Sequence, residues 1–378
     1  MATTSEIDDP FDAIGRVARD ATGVRQWDED RATPGVVIFH TIVDNKIVAI
    51  DSDGSLVMEF SETPTSYKLY RPGKAGDRRN IYCILVSTEC NTERAVAALN
   101  EDGAIVWKTT HHHFTHDFHI RHNRRIVSVL RDQREIAGKT ISDNVICDMD
   151  ITGDIQWRWS VLDHLDQFSI ADEVRRGVVD YGNDNPFHIN SVQIADYPVV
   201  VELLGEPAIV ASARNMNCVF IVGQYSKRIL FEYSGKTMGQ HHARILPEGY
   251  PSVGHLMIVD NGYSFMPPSA GGSRGYSRVL EIDIANGETT WEYRSNPDDP
   301  LFYSPIVGSQ QRFPNGNTLI TEGYYGRVFE IDYDGNIVWD YVHPEHVDVE
   351  EHLRTRRLHE TGLRQVYRAY KVGYEWME

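Results

Sequence analysis

The chain of 378 residues has little cysteine, no basic excess and no long apolar run, and each absence narrows what it is. Cys83, Cys90, Cys147 and Cys218 form no CxxC pair and no dense framework, which excludes a disulfide-held scaffold and reads as reduced packing residues. Lys and Arg number 37 against 55 Asp and Glu, and the formal net charge of −18 excludes a nucleic-acid partner, whose phosphates demand a basic surface. No apolar run reaches the roughly 18 residues of a membrane-spanning helix, so no membrane partner is expected. The N-terminal MATTSEIDDPFDAIGRVARD has no positive segment followed by an apolar one; a standard signal peptide is not expected and the reading is a cytoplasmic protein. Helical periodicity is not sustained beyond short stretches, which leaves an all-β chain rich in turns.

What is present is a repeat. A turn followed by an aromatic or apolar strand recurs as DSDGSLVMEF, EDGAIVWKT, TGDIQWRW, ANGETTWEY and DGNIVWDY, with SKRILFEY as a degenerate sixth copy. Gly54, Gly103, Gly153, Lys227, Gly287 and Gly335 are the equivalent positions, at steps of 49, 50, 74, 60 and 48 residues. A period of about 40 to 50 residues with a glycine hairpin and a recurrent Trp marks propeller blades. The fold expected is therefore an all-β, six-bladed β-propeller of four-stranded antiparallel blades. Residues 1–34 read as an N-terminal extension outside the blades, with a short helix around Phe11 to Arg19, and residues 35–378 as a single propeller domain. The closing QVYRAYKVGYEW alternates like a strand and is expected to complete a blade begun by N-terminal strands, so that no sheet edge is left unpaired.

Blade phase then gathers side chains that are distant in sequence. The hairpin joins the third and fourth strands, and the chain crosses to the innermost strand of the next blade. Polar residues after each crossing collect at one mouth of the channel, and here they are HHHFTHDFHI, NPFHINSVQI and GQHHARIL. The connections between second and third strands open on the same face and carry Arg131, Arg214 with Asn215, Asp260 with Asn261, and Glu322. Histidines with arginine around a concave opening suit a small aromatic or anionic substrate and proton transfer near neutral pH. Each element also has a structural reading. The histidines from His111 to His119 read as a solvated loop, His188 and His241 as backbone hydrogen-bond partners, and Arg214 as a tie between blades. SGKT lacks the leading glycine of a phosphate loop, and DSDG and DYDG lack the Glu that closes a calcium loop.

HDFH at 116–119, FHINS at 187–191, Arg214, GQHHA at 239–243 and FYSPIVGSQQRFPNGNTLITEGYYGRVFEIDYDGNIVWDY at 302–341 together resemble the arylsulfate sulfotransferase family, from about residue 36 to Trp376. The resemblance implies a six-bladed propeller that moves a sulfuryl group from an aryl sulfate to a phenol through a sulfohistidine, with no cofactor and no metal. It implies His241 as nucleophile, His119 and His188 as supporting histidines, and Arg214 facing the sulfuryl oxygens. Asn190, His116, His242, Tyr303 and Ser304, inside the same motifs, are the implied substrate contacts. A metal-free lyase, isomerase or cyclase using the same histidines as acid and base stays open. So do a metal enzyme ligated by His116, His119, His188, His241 and His242, and a binding module without chemistry.

Overall fold

The turn positions of the repeat share one backbone conformation. In the computed structural model, φ is +85° at Gly54, +77° at Gly103, +93° at Gly153, +73° at Gly287 and +89° at Gly335, the left-handed region that glycine adopts at no steric cost. Lys227, in the degenerate copy, takes the same region with φ +55°. Each turn joins a third strand to a fourth, and a register shift follows in every one of these hairpins, as between Ala98 and Leu99 or Glu281 and Ile282. The described residues are 21–42, 46–60, 65–72, 80–87, 94–111, 113–121, 125–264, 272–296, 299, 301–344 and 365–376.

Six antiparallel sheets follow from this repeat. From the inside outward, the second blade is Thr65–Pro72, Ile81–Ser87, Arg94–Leu99 and Ile105–Thr110, and the third is Phe114–Ile120, Ile126–Ile136, Lys139–Met149 and Ile155–Ser160. The fourth is Ile189–Ala195, Ala208–Ala213, Cys218–Gly223 and Ile229–Ser234. The fifth is His241–Ile245, Leu256–Asp260, Arg278–Asp283 and Glu288–Tyr293. The sixth is Ser309–Arg312, Thr318–Glu322, Arg327–Ile331 and Ile337–Val342. The first blade is shared by the two ends of the chain. Val366–Val372 is its inner strand and pairs with Val36–Thr41, which is followed by Ile47–Ile50 and Leu56–Phe60.

Residues 1–34 do not all lie outside the blades: Gly23–Trp27 pairs with Ile337–Val342 as a fifth, outermost strand of the sixth blade. Arg25 reaches Asp340 there, at 2.5 Å. The expected helix around Phe11 to Arg19 and Cys90 lie outside the described residues. Cys83, Cys147 and Cys218 are buried, free thiols. The long steps of the repeat are insertions. Ala171–Tyr181, an amphipathic helix capped by Gly182, and Pro198–Leu204 fill the 74-residue step, and the small hairpin of Tyr263–Ser264 with Gly272–Ser273 fills the 60-residue step. No helix among the described residues is long and apolar enough to cross a membrane.

The core is divided between blades. One apolar cluster joins the third and fourth blades through Trp159, Phe168, Phe187 and Phe220; another joins the fifth and sixth through Tyr293, Phe302 and Phe329. The recurrent tryptophan explains itself in this setting. Trp157 donates its indole N–H to the Gln224 carbonyl (2.8 Å), Trp291 to Tyr333 (3.0 Å) and Trp339 to Ser52 (2.7 Å), each in the turn of the following blade. A large apolar ring with one donor both fills the gap between blades and satisfies a turn carbonyl.

Inner strands are tied to their neighbours by side chains. Asp117 and His119 accept the backbone N–H groups of Val192 (2.9 Å) and Ile194 (3.0 Å), and Ser191 and Gln193 accept those of Ala243 (3.0 Å) and Ile245 (2.6 Å). Gln311 accepts that of Lys371 (2.8 Å). These bonds tie the third blade to the fourth, the fourth to the fifth and the sixth to the first.

Candidate active site at the front mouth of the channel

The inner strands begin at one mouth, here called the front. Crossing into the fifth blade, the sequence Gly239-Gln240-His241-His242 is held rigidly. Gly239 has φ +63°, and a Cβ there would lie 2.1 Å from the Tyr263 carbonyl oxygen. Gln240 is fully buried and donates from Nε2 to Ser212, Ala213 and Cys218 at 3.0 to 3.2 Å. Asn190 donates to the Gln240 carbonyl (2.8 Å).

His241 emerges from this clamp, 6% exposed. Its Nδ1 lies 2.7 Å from Asn261 Oδ1. Asn261 Nδ2 donates to the carbonyls of Ser304 (2.6 Å) and Val307 (2.7 Å), and only an amide nitrogen satisfies two carbonyls. That fixes Oδ1 toward the ring, so His241 carries its proton on Nδ1 and a lone pair on Nε2. Burial pushes its pKa down to about 3, with the Arg214 charge adding to the effect against the Asn261 hydrogen bond. The imidazole is therefore neutral at neutral pH.

Arg214 begins the connection between the second and third strands of the fourth blade. Its backbone N–H donates to the His188 carbonyl (3.1 Å), and its Nη1 to Asn215 Oδ1 (2.9 Å). Asn215 in turn donates to the Asn185 carbonyl (2.7 Å). Burial pushes the guanidinium down to about 10, with the Tyr263 phenol opposing. His188 is partly buried, has φ +50° and meets Asn185 Nδ2 at 2.9 Å through Nδ1. Its pKa lies well below the ordinary value of 6.5, first because of burial and then because of His116 and Arg214. The His116 ring packs edge-on against it, 4.4 Å between centroids. Arg131, partly buried and itself pushed down by burial, adds further positive charge. The His241, His188, Arg214 and His116 side chains thus lie within electrostatic reach of one another, an electropositive group in a protein of net charge −18.

His119 and His242 are elsewhere. His119 Nδ1 accepts from Ile194 N–H, and the ring lines a cavity at the rear of the channel. His242, with φ +55°, meets Tyr370 Oη at 3.2 Å and lines the same rear cavity. Between the two ends lies Asp117, fully buried, which pairs with Arg368 (3.1 Å) and Arg244 (2.9 Å). Arg368 depresses the His241 pKa from the front side, while Arg244 lines the rear cavity.

The remaining expected contacts act as supports. Ser304 is buried; its hydroxyl donates to Ile306 and accepts from Tyr324 N–H, and its carbonyl holds Asn261. The Tyr303 hydroxyl meets Ser273 at 2.8 Å, and its backbone N–H is fixed by Glu322 (2.9 Å). Asn190 is fully buried behind Gln240. The five-histidine ligand set is divided between front and rear, and among the described residues no three His, Cys, Asp or Glu side chains are placed to hold a metal ion. Sequence reasoning placed Asn261 and Arg131 in connections between second and third strands and gave neither a role of its own; Arg131 instead lies within the strand Ile126–Ile136, which runs on to a longer hairpin. Asp117 and Arg368 lay inside quoted motifs without being singled out.

The arylsulfotransferase (ASST) family profile matches residues 91–344. No curated protein matches. Among solved structures, a Bacteroides caccae protein of unknown function superposes with TM-score 0.54 at 11% identity, over 90% of this chain and 99% of that one. A streptogramin B lyase superposes with TM-score 0.44 at 15% identity, over 85% and 82% of the two chains. The first likeness bears on the fold alone.

Proposed function

The chain belongs to the arylsulfotransferase (ASST) family, and from that premise we propose that it transfers a sulfuryl group from an aryl sulfate to a phenol with His241 Nε2 as the attacking atom. The observation that carries this reading is the Asn261 amide: held by two carbonyls, it keeps the proton on Nδ1 and the lone pair on Nε2 of a neutral, buried imidazole. Such a ring is nucleophilic at neutral pH without any proton having to leave it.

The steps balance with these residues. Nε2 attacks sulfur, the N–S bond forms, and the S–O bond to the aryl group breaks with its electron pair on the departing phenolate oxygen. The proton stays on Nδ1, donated to Asn261 Oδ1, while the ring becomes an imidazolium bearing SO3. Arg214, beside His241, faces the charge that builds on the sulfuryl oxygens and supplies fixed donors that need no reorganisation. His188, kept neutral by burial and positive neighbours, accepts from Asn185 on Nδ1 and so carries its proton on Nε2, from which it donates a hydrogen bond to the phenol oxygen. The incoming phenol oxygen attacks sulfur, and its proton passes to the departed phenolate or to solvent. The N–S bond then breaks and His241 regains its lone pair.

The test is release of phenol from an aryl sulfate in the presence of a second phenol. The proposal expects ping-pong kinetics and exchange of the sulfuryl group between phenols. Turnover without exchange, or no release across a broad panel of aryl sulfates, defeats it.

A further inference from the structure

The rear of the channel holds a cavity of about 270 Å³ that the sulfuryl-transfer chemistry does not use. That is near the scale at which pockets take a small ligand, roughly 300 Å³ upward. Five inner strands contribute to it among the described residues. Its wall sets the rings of His119, Tyr197, Tyr250 and Tyr370 beside the apolar Ile245, Leu246 and Pro247. His119 accepts a backbone N–H on Nδ1, which leaves the ring proton on Nε2. Burial raises the pKa of Tyr250, so its hydroxyl stays protonated at neutral pH.

Three cations also line the cavity, and each is already answered. Lys371 meets Glu330 at 2.7 Å and the Thr33 carbonyl at 2.8 Å. Arg312 meets Glu281 at 3.0 Å, Gly316 at 2.8 Å and Thr318 at 2.7 Å. Arg244 meets Asp117 at 2.9 Å and the carbonyls of Val192 and Ala243. An anion entering here would compete with buried carboxylates for every positive group. A neutral molecule would meet rings, aliphatic wall, neutral polar atoms and cations already paired, with no carboxylate to displace.

We propose that this rear cavity is a second binding site, selective for a neutral aromatic molecule bearing a hydroxyl group, and distinct from the electropositive front mouth. The proposal is independent of the sulfuryl-transfer reading, because it concerns binding alone. Aromatic walls accept a flat ring by offset or edge contacts, and the neutral donors and acceptors at the rim orient its hydroxyl.

The experiment uses the full chain with 2-naphthol as the probe and 2-naphthyl sulfate as the charged counterpart. An azido derivative of the naphthol is photolysed with wild-type protein and the labelled peptides are mapped. Labels are expected on the segments around Arg244 to Tyr250 or Tyr370 to Val372, displaced by 2-naphthol and at least about tenfold less effectively by the sulfate ester. Leu246→Trp, which fills the cavity, is expected to remove these labels while the melting transition persists. Should that variant not fold, Tyr250→Ala, which removes one aromatic wall at a half-buried position, is expected to weaken the same labels, and unchanged labelling there would count against the site. Labels confined to the front mouth, labels unchanged by filling the cavity, or displacement by the sulfate ester as effective as by naphthol would each overturn the proposal.

Discussion

The two ends of the channel differ in chemistry. At the front, Arg214 and Arg131 stand among neutral histidines, and the pKa shifts of His188 and His241 are dominated by burial and positive neighbours. At the rear, Arg312 and Lys371 are paired with Glu281 and Glu330. The Arg368–Asp117–Arg244 bridge lies between them. The difference teaches that histidine content does not define the site. His116 and His119 are three residues apart, and His241 and His242 are adjacent, yet each pair is divided between the two ends.

The largest effect should come from His241→Ala. Loss of the attacking nitrogen is expected to lower turnover on an aryl sulfate by on the order of 10⁴-fold or more, with the thermal unfolding transition and rear-cavity labelling preserved. The measurement is phenol release alongside circular dichroism melting. Retained turnover would dissolve the contrast between the two ends. Arg214→Ala should cost about 100 to 1000-fold in kcat, because it removes a preorganised donor whose worth appears as charge develops. Arg214→Lys should recover little of this, since an ammonium does not reproduce the planar fork.

Part of this contrast was legible in the sequence. A tight turn that demands positive φ writes glycine into the chain, so the six hairpins were visible, and even Lys227 was found at the equivalent position. The alternation of VYRAYKV announced the closing strand. Convergence of His188, Arg214 and His241 followed from blade phase. Which histidine of HDFH faces the front did not, because register shifts at Ser128/Val129 and at His241/Arg244 alter strand phase where the motifs sit. The pairing of Gly23–Trp27 with the sixth blade was hidden as well; it depends on an unpaired outer edge more than 300 residues away in sequence. Asn261 could be placed but not interpreted, since its role depends on carbonyls of Ser304 and Val307 in the next crossing.

Asn261 therefore sharpens the comparison as a positioning residue. Asn261→Ala is expected to lower kcat by about 10 to 100-fold through loss of the tautomer constraint. Asn261→Asp should shift the acid limb of the kcat/KM profile upward, because a carboxylate next to Nδ1 favours the imidazolium. A merely structural role for Asn261 would lower stability and leave that limb in place.

A smaller effect concerns stability against pH. With the folded His241 pKa depressed to about 3 from the ordinary 6.5, the unfolded chain binds the proton first as pH falls. Stability should accordingly be full above pH 6.5 and decline as pH drops toward about 3, with His188 acting in the same direction. Relative to wild type, His241→Asn should lose on the order of 1 to 3 kcal/mol less across that window, read from urea unfolding at successive pH values. Parallel declines in the two proteins would contradict the assignment of a buried neutral ring.

The most direct test of the central claim is the intact mass of the protein after brief exposure to an aryl sulfate without acceptor, followed by mapping of the modified peptide. The account predicts a gain of one SO3 group located on His241, discharged when a phenol is added and absent in His241→Ala. Burst release of phenol with no mass gain, or a stable modification on another residue, would contradict it.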